Sequence, residues 1–295
     1  MSSAASAPAP IRWPAEAIWQ AVAPSLEGFT VEVLPSIDST NTELMRRFRG
    51  SAGVAPRPEP TLLVAEEQTA GRGRMGRHWQ SRRGDSLTFS LGLPLAPADW
   101  SGLSLVVGIS LAESLGLPAD SPVQVGLKWP NDLWLSGPKG ESKLAGILVE
   151  TANLNNMRCV VIGIGINIRT LPAATPTAPD AATSSLPAIP PGYLQDVLPD
   201  LDAASVLLRV LPPLVQNIQA FEKFGFRPFQ ARFGKRDVLG GRAVRLSDGT
   251  EGTAYGAGEN GALLVHTAAG MKEITSSEVS VRPVNPAGAA GQSTC

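Results

Sequence analysis

The sequence predicts an α+β protein that ends in a small β-barrel. Strand-like and helix-like stretches interleave from residue 29 to about 237. The texture then changes to short β-like segments parted by Gly, Asp and Asn, and 295 residues with 43% hydrophobic content supply one large core and one small one. The expected divisions are 1–28, a loose start with a short helix; 29–237, the main domain; 238–285, the barrel; and 286–295, a tail.

Each element has a local reason. Residues 1–10 are rich in Ala, Ser and Pro, a composition expected to stay disordered, and a short helix starts at Pro14. "FTVEVLPSI" (29–37) alternates like a strand. "STNTELMRRF" (39–48) reads as a helix, with Thr40 and Glu43 at the spacing of a capping box. "TLLVAEE" (61–67) and "SLTFSLGL" (86–93) are strand-like, so the segment between them is a loop joining two strands. Residues 101–116 have helical length and a glycine stop. "VQVGLKWP", a Gly/Pro/Ser-rich turn at 136–142, "KLAGILVE" and "CVVIGIGINI" read as consecutive antiparallel strands. Residues 171–192 form a long loop rich in Pro, Ala, Thr and Ser. "ASVLLRVLPPLVQNIQAFEKF" returns to helix, with Pro212 and Pro213 predicting a break or kink inside it. "GRAVRLS", "EGTAYGAG", "GALLVHT" and "MKEITSSEVSVRP" then make a compact barrel of roughly 50 residues.

Charge is distributed unevenly. The chain carries a formal charge of −1, yet "QTAGRGRMGRHWQSRRGDS" (68–86) holds Arg72, Arg74, Arg77, Arg82 and Arg83, so the remainder is net negative. That is a local cationic feature, unlike the broad basic surface of a general nucleic-acid binder. Cys159 and Cys295 give neither a disulfide framework nor a zinc spacing, which fits a reducing, cytoplasmic setting. His78 and His266 cannot make a multi-histidine metal site, and no G-x-S-x-G or similar pattern marks an activated nucleophile. The start lacks a signal-peptide pattern, and no stretch approaches about 18 uninterrupted apolar residues. Chemistry here rests on Lys, Arg, Asn and backbone groups.

Four constellations could carry it. In the arginine run, Gly71, Gly73 and Gly76 let the main chain approach a ligand while Arg72, Arg74 and Arg77 offer forked donors to phosphate; a solvated basic loop is an equal reading. In "KWPNDLW" (128–134), Lys128 ends a strand and Asn131 and Asp132 present oxygens at a turn where a substrate-borne Mg²⁺ could be met, although such a string is more often only a turn. In "KLAGILVE", a strand places Lys143, Ala145, Ile147 and Val149 on one face. The lysine there either steadies an anion or marks a solvated strand entrance. In "VVIGIGINI", the isoleucines share one face, while Gly163, Gly165 and Asn167 share the other and admit either a small molecule or a tightly packed helix.

Taken in order, "STN" (39–41), "EEQTAGRGRMGRHWQS" (66–81), "KWPND" (128–132), "KLAGILVE" (143–150) and "GIGINI" (163–168) resemble the biotin–protein ligases. The likeness continues through "ATSSL" (182–186), "FGFRPF" (224–229) and "ITSSEVSVR" (274–282), covering roughly residues 29–284. The resemblance implies a mixed sheet flanked by helices, of the class II aminoacyl-tRNA synthetase-like type, followed by an SH3-like barrel. It implies an enzyme that joins biotin to ATP as biotinyl-5′-AMP, with Mg²⁺, and passes biotin to a lysine of the biotin carboxyl carrier protein of acetyl-CoA carboxylase. It places biotin contacts on Ser39, Thr40, Asn41, Gln68, Arg72, Gly73, Arg74 and Lys143. Nucleotide contacts fall on Arg77, Trp79, Lys128, Asn131 and Asn167, with Asn131 and Asp132 near metal-bearing phosphates. Arg74 and Lys143 carry the catalytic expectation, as electrostatic clamps. From the short stretch before "FTVEV" the expectation is a ligase without the DNA-binding helix-turn-helix of repressor members, and the family's habit of pairing sheet edges makes a homodimer an expectation. A ligase for lipoate or another short carboxylate and a noncatalytic RNA- or acidic-partner-binding module are the alternatives; Gln68 and "GRGRMGR" favour biotin, and the lack of spread basic charge and aromatic clusters disfavours the module.

Overall fold

Seven runs rich in Val, Ile and Leu assemble into one mixed sheet in the computed structural model, which describes residues 11–50, 56, 58–118, 120–154, 157–170, 189–275 and 281–284. The strands are β1 (Thr30–Leu34), β2 (Thr61–Ala65), β3 (Ser86–Pro94), β4 (Gln124–Lys128), β5 (Asp132–Gly137), β6 (Gly140–Leu154) and β7 (Met157–Asn167). Their spatial order is β1-β2-β3-β7-β6-β5-β4, with β1 and β2 parallel and every other pair antiparallel. β5 is the strand that the sequence reading left unassigned, because the Gly/Pro/Ser-rich turn read at 136–142 overlaps its end at Gly137.

The two faces of the sheet are covered unequally. α1 (Ala15–Val22), α3 (Leu103–Leu115) and α4 (Ala203–Phe224) pack on one face, where Leu62, Val64, Val160, Ile162, Ile164 and Ile166 join their apolar sides in the main core. α2 (Thr40–Arg49) lies on the other, burying Leu44, Met45 and Phe48 against Leu63, Ala152, Cys159 and Val161. The period of two along β2 and β7 therefore sends neighbours to opposite layers. Each of the three α2 side chains contributes about 1.5–3 kcal/mol by leaving water. Because one short helix cannot cover seven strands, part of that face stays open, and the candidate site forms there.

The cap of α2 and the continuity of α4 depart from expectation. The helix cap is Ser39, whose Oγ accepts from Thr42 N at 3.4 Å, and Thr40 is the first helical residue, so no Thr40–Glu43 box forms. Thr40 is instead turned inward to Gln68, while Glu43 pairs with Arg46 and Arg47 on the helix surface. Pro212 and Pro213 sit within one 22-residue helix that runs through them unbroken. Each proline deprives only one preceding carbonyl of its donor, and the burial of Val210, Leu211, Leu214 and Val215 outweighs that loss. The helix begins with a capping box that was not foreseen, between Asp202 and Ser205.

After α5 (Gln230–Gly234), five strands, β8 (Ala243–Leu246), β9 (Glu251–Ala257), β10 (Leu263–Thr267), β11 (Gly270–Ile274) and β12 (Val281–Pro283), form an antiparallel sheet in the order β11-β10-β9-β8-β12. This is the expected SH3-like unit, with Val244, Leu246, Ala254, Leu263, Val265 and Val281 buried. It abuts the large sheet at β4: Leu127 N donates to Arg236 O (2.7 Å), Val238 N to Leu127 O (3.1 Å), and the buried Trp129 Nε1 to Gly261 O (3.0 Å). The loose start at 1–10, most of the 171–192 loop including "ATSSL", and the 286–295 tail lie outside the described residues. Among the described residues no helix is long and apolar enough to cross a membrane.

Candidate active site

The arginine run folds back on itself as a narrow ribbon. Trp79 N donates to Gly71 O (2.9 Å) and Gly73 N to Arg77 O (2.7 Å), and the reversal is made by Met75 and Gly76, both left-handed at φ 57° and 72°. A non-glycine residue there costs on the order of 1 kcal/mol, so Met75 is held by the turn around it. The ribbon lies over the open face of the sheet, and the cavity beneath it is lined by Ser39, Thr40, Asn41, Gln68, Arg72, Gly73, Arg74, Arg77, Trp79, Lys128, Asn131, Asp132 and Lys143. The structure thus brings together all the expected biotin, nucleotide and metal contacts except Asn167. That residue lines an adjoining cavity with Trp79, Lys143 and Tyr193, where its Nδ2 donates to Lys143 O at 3.1 Å.

The glycine face of β7 is the floor. A Cβ on Gly163 would lie 2.0 Å from Asn41 Oδ1, and one on Gly165 would lie 2.3 Å from the Trp79 ring, so both positions exclude any side chain. Glycine here admits a helix start and an indole at close approach. Trp79 Nε1 is buried and has no hydrogen-bond partner among the described residues, a donor left for something in the cavity. The start of α2 is fixed by a polar cluster: Gln68 Oε1 accepts from Thr40 N (2.8 Å) and Thr40 Oγ1 (3.1 Å). Ser90 Oγ lies 2.7 Å from Thr40 Oγ1 and 2.6 Å from Asn41 Oδ1, donating its one proton to either. Ser90 was missed, although the alternation Ser86, Thr88, Ser90 along β3 places it on the face that pairs with Gly163.

Lys128 and Asp132 are directly opposite across the tight β4–β5 turn. Lys143 Nζ reaches Asp132 Oδ1 at 2.8 Å, Arg74 Nη1 donates to Asn131 Oδ1 at 3.4 Å, and Asn131 Nδ2 donates to Ile147 O at 2.7 Å. Ser104 of α3 anchors the turn through Pro130 O at 2.8 Å. The expected face of Lys143, Ala145, Ile147 and Val149 is corrected here. Leu133 pairs with Ala145 but Trp134 pairs with Lys143, a register shift that breaks the alternation; Ala145 and Ile147 face the core, and Lys143 swings beside Gly146 into the cavity.

The electrostatics are lopsided. Burial pulls the Lys128 ammonium down to about 8, with Asp132 opposing and Lys143, Arg77 and Arg74 adding to the fall. Arg74 is lowered by burial first, with Asp132 opposing and Arg77 reinforcing. Four cations therefore crowd one carboxylate, an arrangement that favours an incoming anion. Among the described residues no three His, Cys, Asp or Glu side chains gather as metal ligands. Asp132 and Asn131 offer two oxygen-bearing side chains, already met by Lys143 and Arg74, too few to hold a metal ion by themselves.

Comparisons with known proteins agree with this geometry. Residues 33–167 match the biotin/lipoate A/B protein ligase family, and residues 239–282 match the biotin protein ligase C terminal domain. The bifunctional ligase/repressor BirA of Escherichia coli is 36% identical over 266 residues, covering 87% of this chain and 75% of that protein. The biotin–[acetyl-CoA-carboxylase] ligase of Paracoccus denitrificans is 31% identical, over 84% of this chain and 98% of that one. A solved biotin protein ligase from Aquifex aeolicus, in complex with biotin and ATP, superposes with a TM-score of 0.66 at 31% identity, covering 86% of this chain and 99% of that chain. With both of its folded units matched and relatives at 31–36% identity covered over three quarters or more of their length, the chain belongs to the biotin protein ligase family.

Proposed function

We propose that this ligase activates biotin with ATP and transfers it to a lysine of a biotin carboxyl carrier protein, using the cavity beneath the arginine ribbon. The observation that carries the reading is the convergence of Lys128, Lys143, Arg74 and Arg77 on a cavity whose one carboxylate among the described residues is Asp132. Activation needs no protein nucleophile: a carboxylate oxygen of biotin attacks the α-phosphorus, the new P–O bond forms, and pyrophosphate leaves. The protein must hold two anions together and offset charge accumulating on the phosphates. In this reading Ser39, Thr40, Asn41, Gln68, Arg72, Gly73, Arg74 and Lys143 surround the biotin end, while Arg77, Trp79, Lys128 and Asn131 face the nucleotide, with Asn167 in the adjoining cavity. Mg²⁺ carried on the phosphates would neutralise charge beside Asn131 and Asp132. In the second step the acceptor amine attacks the acyl carbon and AMP leaves, and the ribbon keeps water from the mixed anhydride until then. Residues 29–237 form the catalytic unit in this reading and 238–285 the barrel. The carrier protein as acceptor is supported by the likeness to the Paracoccus enzyme. ATP–pyrophosphate exchange measured with biotin, with lipoate and with neither tests the reading: exchange only with biotin is expected, and exchange only with lipoate, or none with either, overturns it.

A further inference from the structure

Arg72 differs from the other arginines of the ribbon in where its charge is spent. Its Nη2 donates to Glu150 Oε1 at 3.1 Å, and its Nη1 lies 3.4 Å from Glu150 Oε2 and 3.3 Å from Thr42 Oγ1. Glu150 stands on β6 two and four residues beyond Leu148 and Gly146, on the strand face that meets α2 and the ribbon. Its Oε2 also accepts from Asn41 Nδ2 at 3.0 Å. One carboxylate thus holds the ribbon, through Arg72, and the start of α2, through Asn41.

We propose that Glu150 is a positioning residue that fastens the ribbon over the cavity. The backbone bonds from Gly73 to Arg77 and from Trp79 to Gly71 make residues 71–79 one stiff unit, so fixing Arg72 also fixes Arg74 above Asn131 and Trp79 above Gly165. The fastening is weak by construction. The Arg72 side chain is 49% exposed and that of Glu150 is 22% exposed, and a pair so open to solvent shifts an open–closed ratio by only about two- to fivefold. A lid that must admit two substrates and release a product needs a clasp of that strength. It follows that Arg72 acts as the clasp, leaving Arg74, Arg77, Lys128 and Lys143 to meet the anions. The catalytic consequence rests on the ligase reading above; the fastening itself does not.

Glu150→Gln separates the two arms, since glutamine keeps an oxygen for Asn41 Nδ2 but loses the charge that holds Arg72. In the full-length protein without substrates, hydrogen exchange at the Gly73 and Trp79 amides is expected to quicken about two- to fivefold, while Leu263 and other barrel amides stay unchanged. Arg72→Gln is expected to do the same, the double variant no more than either alone, and Glu150→Asp to restore part of the protection. With biotin and ATP, escape of the activated biotin into a chase is expected to quicken by the same factor in Glu150→Gln. Unchanged exchange at Gly73 and Trp79, a rise spread equally over the barrel, or additive effects of the two variants would each overturn the proposal. A wild-type protein that shows no biotin-dependent turnover would sink the ligase reading while leaving the exchange comparison to decide the fastening.

Discussion

Lys128 and Trp129 are adjacent in the chain and serve opposite purposes. Lys128 enters the cavity beside Asp132, with three further cations near it. Trp129 turns the other way, fully buried against the barrel, its indole N–H satisfied by Gly261 O. On one side of this strand end the protein tolerates a charge that burial disfavours; on the other it satisfies the polar group and fills the space. The difference teaches that stability and chemistry are built from neighbouring residues, with the packed Trp129 side anchoring a Lys128 side that carries a charge disfavoured by burial.

The largest effect that would break this contrast is expected from Trp129→Ala. Removing a fully buried indole costs about 3–5 kcal/mol, and the loss should appear together in the unfolding midpoint and in pyrophosphate-exchange activity, because Lys128 loses its anchor. Lys128→Met sharpens the contrast by splitting the two readouts: exchange activity is expected to fall at least about 100-fold, while the substrate-free protein becomes more stable by up to about 3 kcal/mol at pH 7. The gain has a definite pH window. Between pH 8 and 10.5 the unfolded chain retains a proton on Lys128 that the folded chain has shed, so the wild type gains stability relative to the variant as pH rises through it. Denaturant melts of both proteins from pH 7 to 10.5 should show the gap closing, and a constant gap would contradict the buried charge.

Trp129→Phe keeps most of the volume and removes the bond to Gly261 O, an expected cost of about 1–2 kcal/mol with activity nearly intact at low temperature. The smallest effect belongs to Arg242, which joins the barrel to Glu141 at the start of β6 by bonds of 2.5 and 3.2 Å. Both side chains are partly in water, so Arg242→Ala should cost under about 1 kcal/mol in the same melts. A larger loss would show that the barrel is held by charge and not by the Trp129 contact.

Much of this was legible in the residues. The arginine run between two strands, the glycine face of β7 and the texture change near residue 238 are local patterns whose period or composition names the structure directly. The polar alternation Ser86, Thr88, Ser90 was equally available and went unused. Other features had no local sign. Ser39 and Thr40 are both acceptable caps, and the choice between them was made by Gln68, 28 residues away, which draws Thr40 inward. Lys143 has the parity of a core-facing position, and only the pairing of β5 with β6 turned it into the cavity.

The sequence by itself determined most of the strands and helices, though not β5, where charge is concentrated, and which family's ordered motifs the chain carries, because these depend on neighbours within a few residues. Tertiary structure decided the cap of α2, the continuity of α4, the register shift at Lys143, the fall of Lys128 to about 8 and the pairing of Arg72 with Glu150, 78 positions apart. Each of these is settled by burial or by partners distant in sequence, and both exist only after the chain has folded.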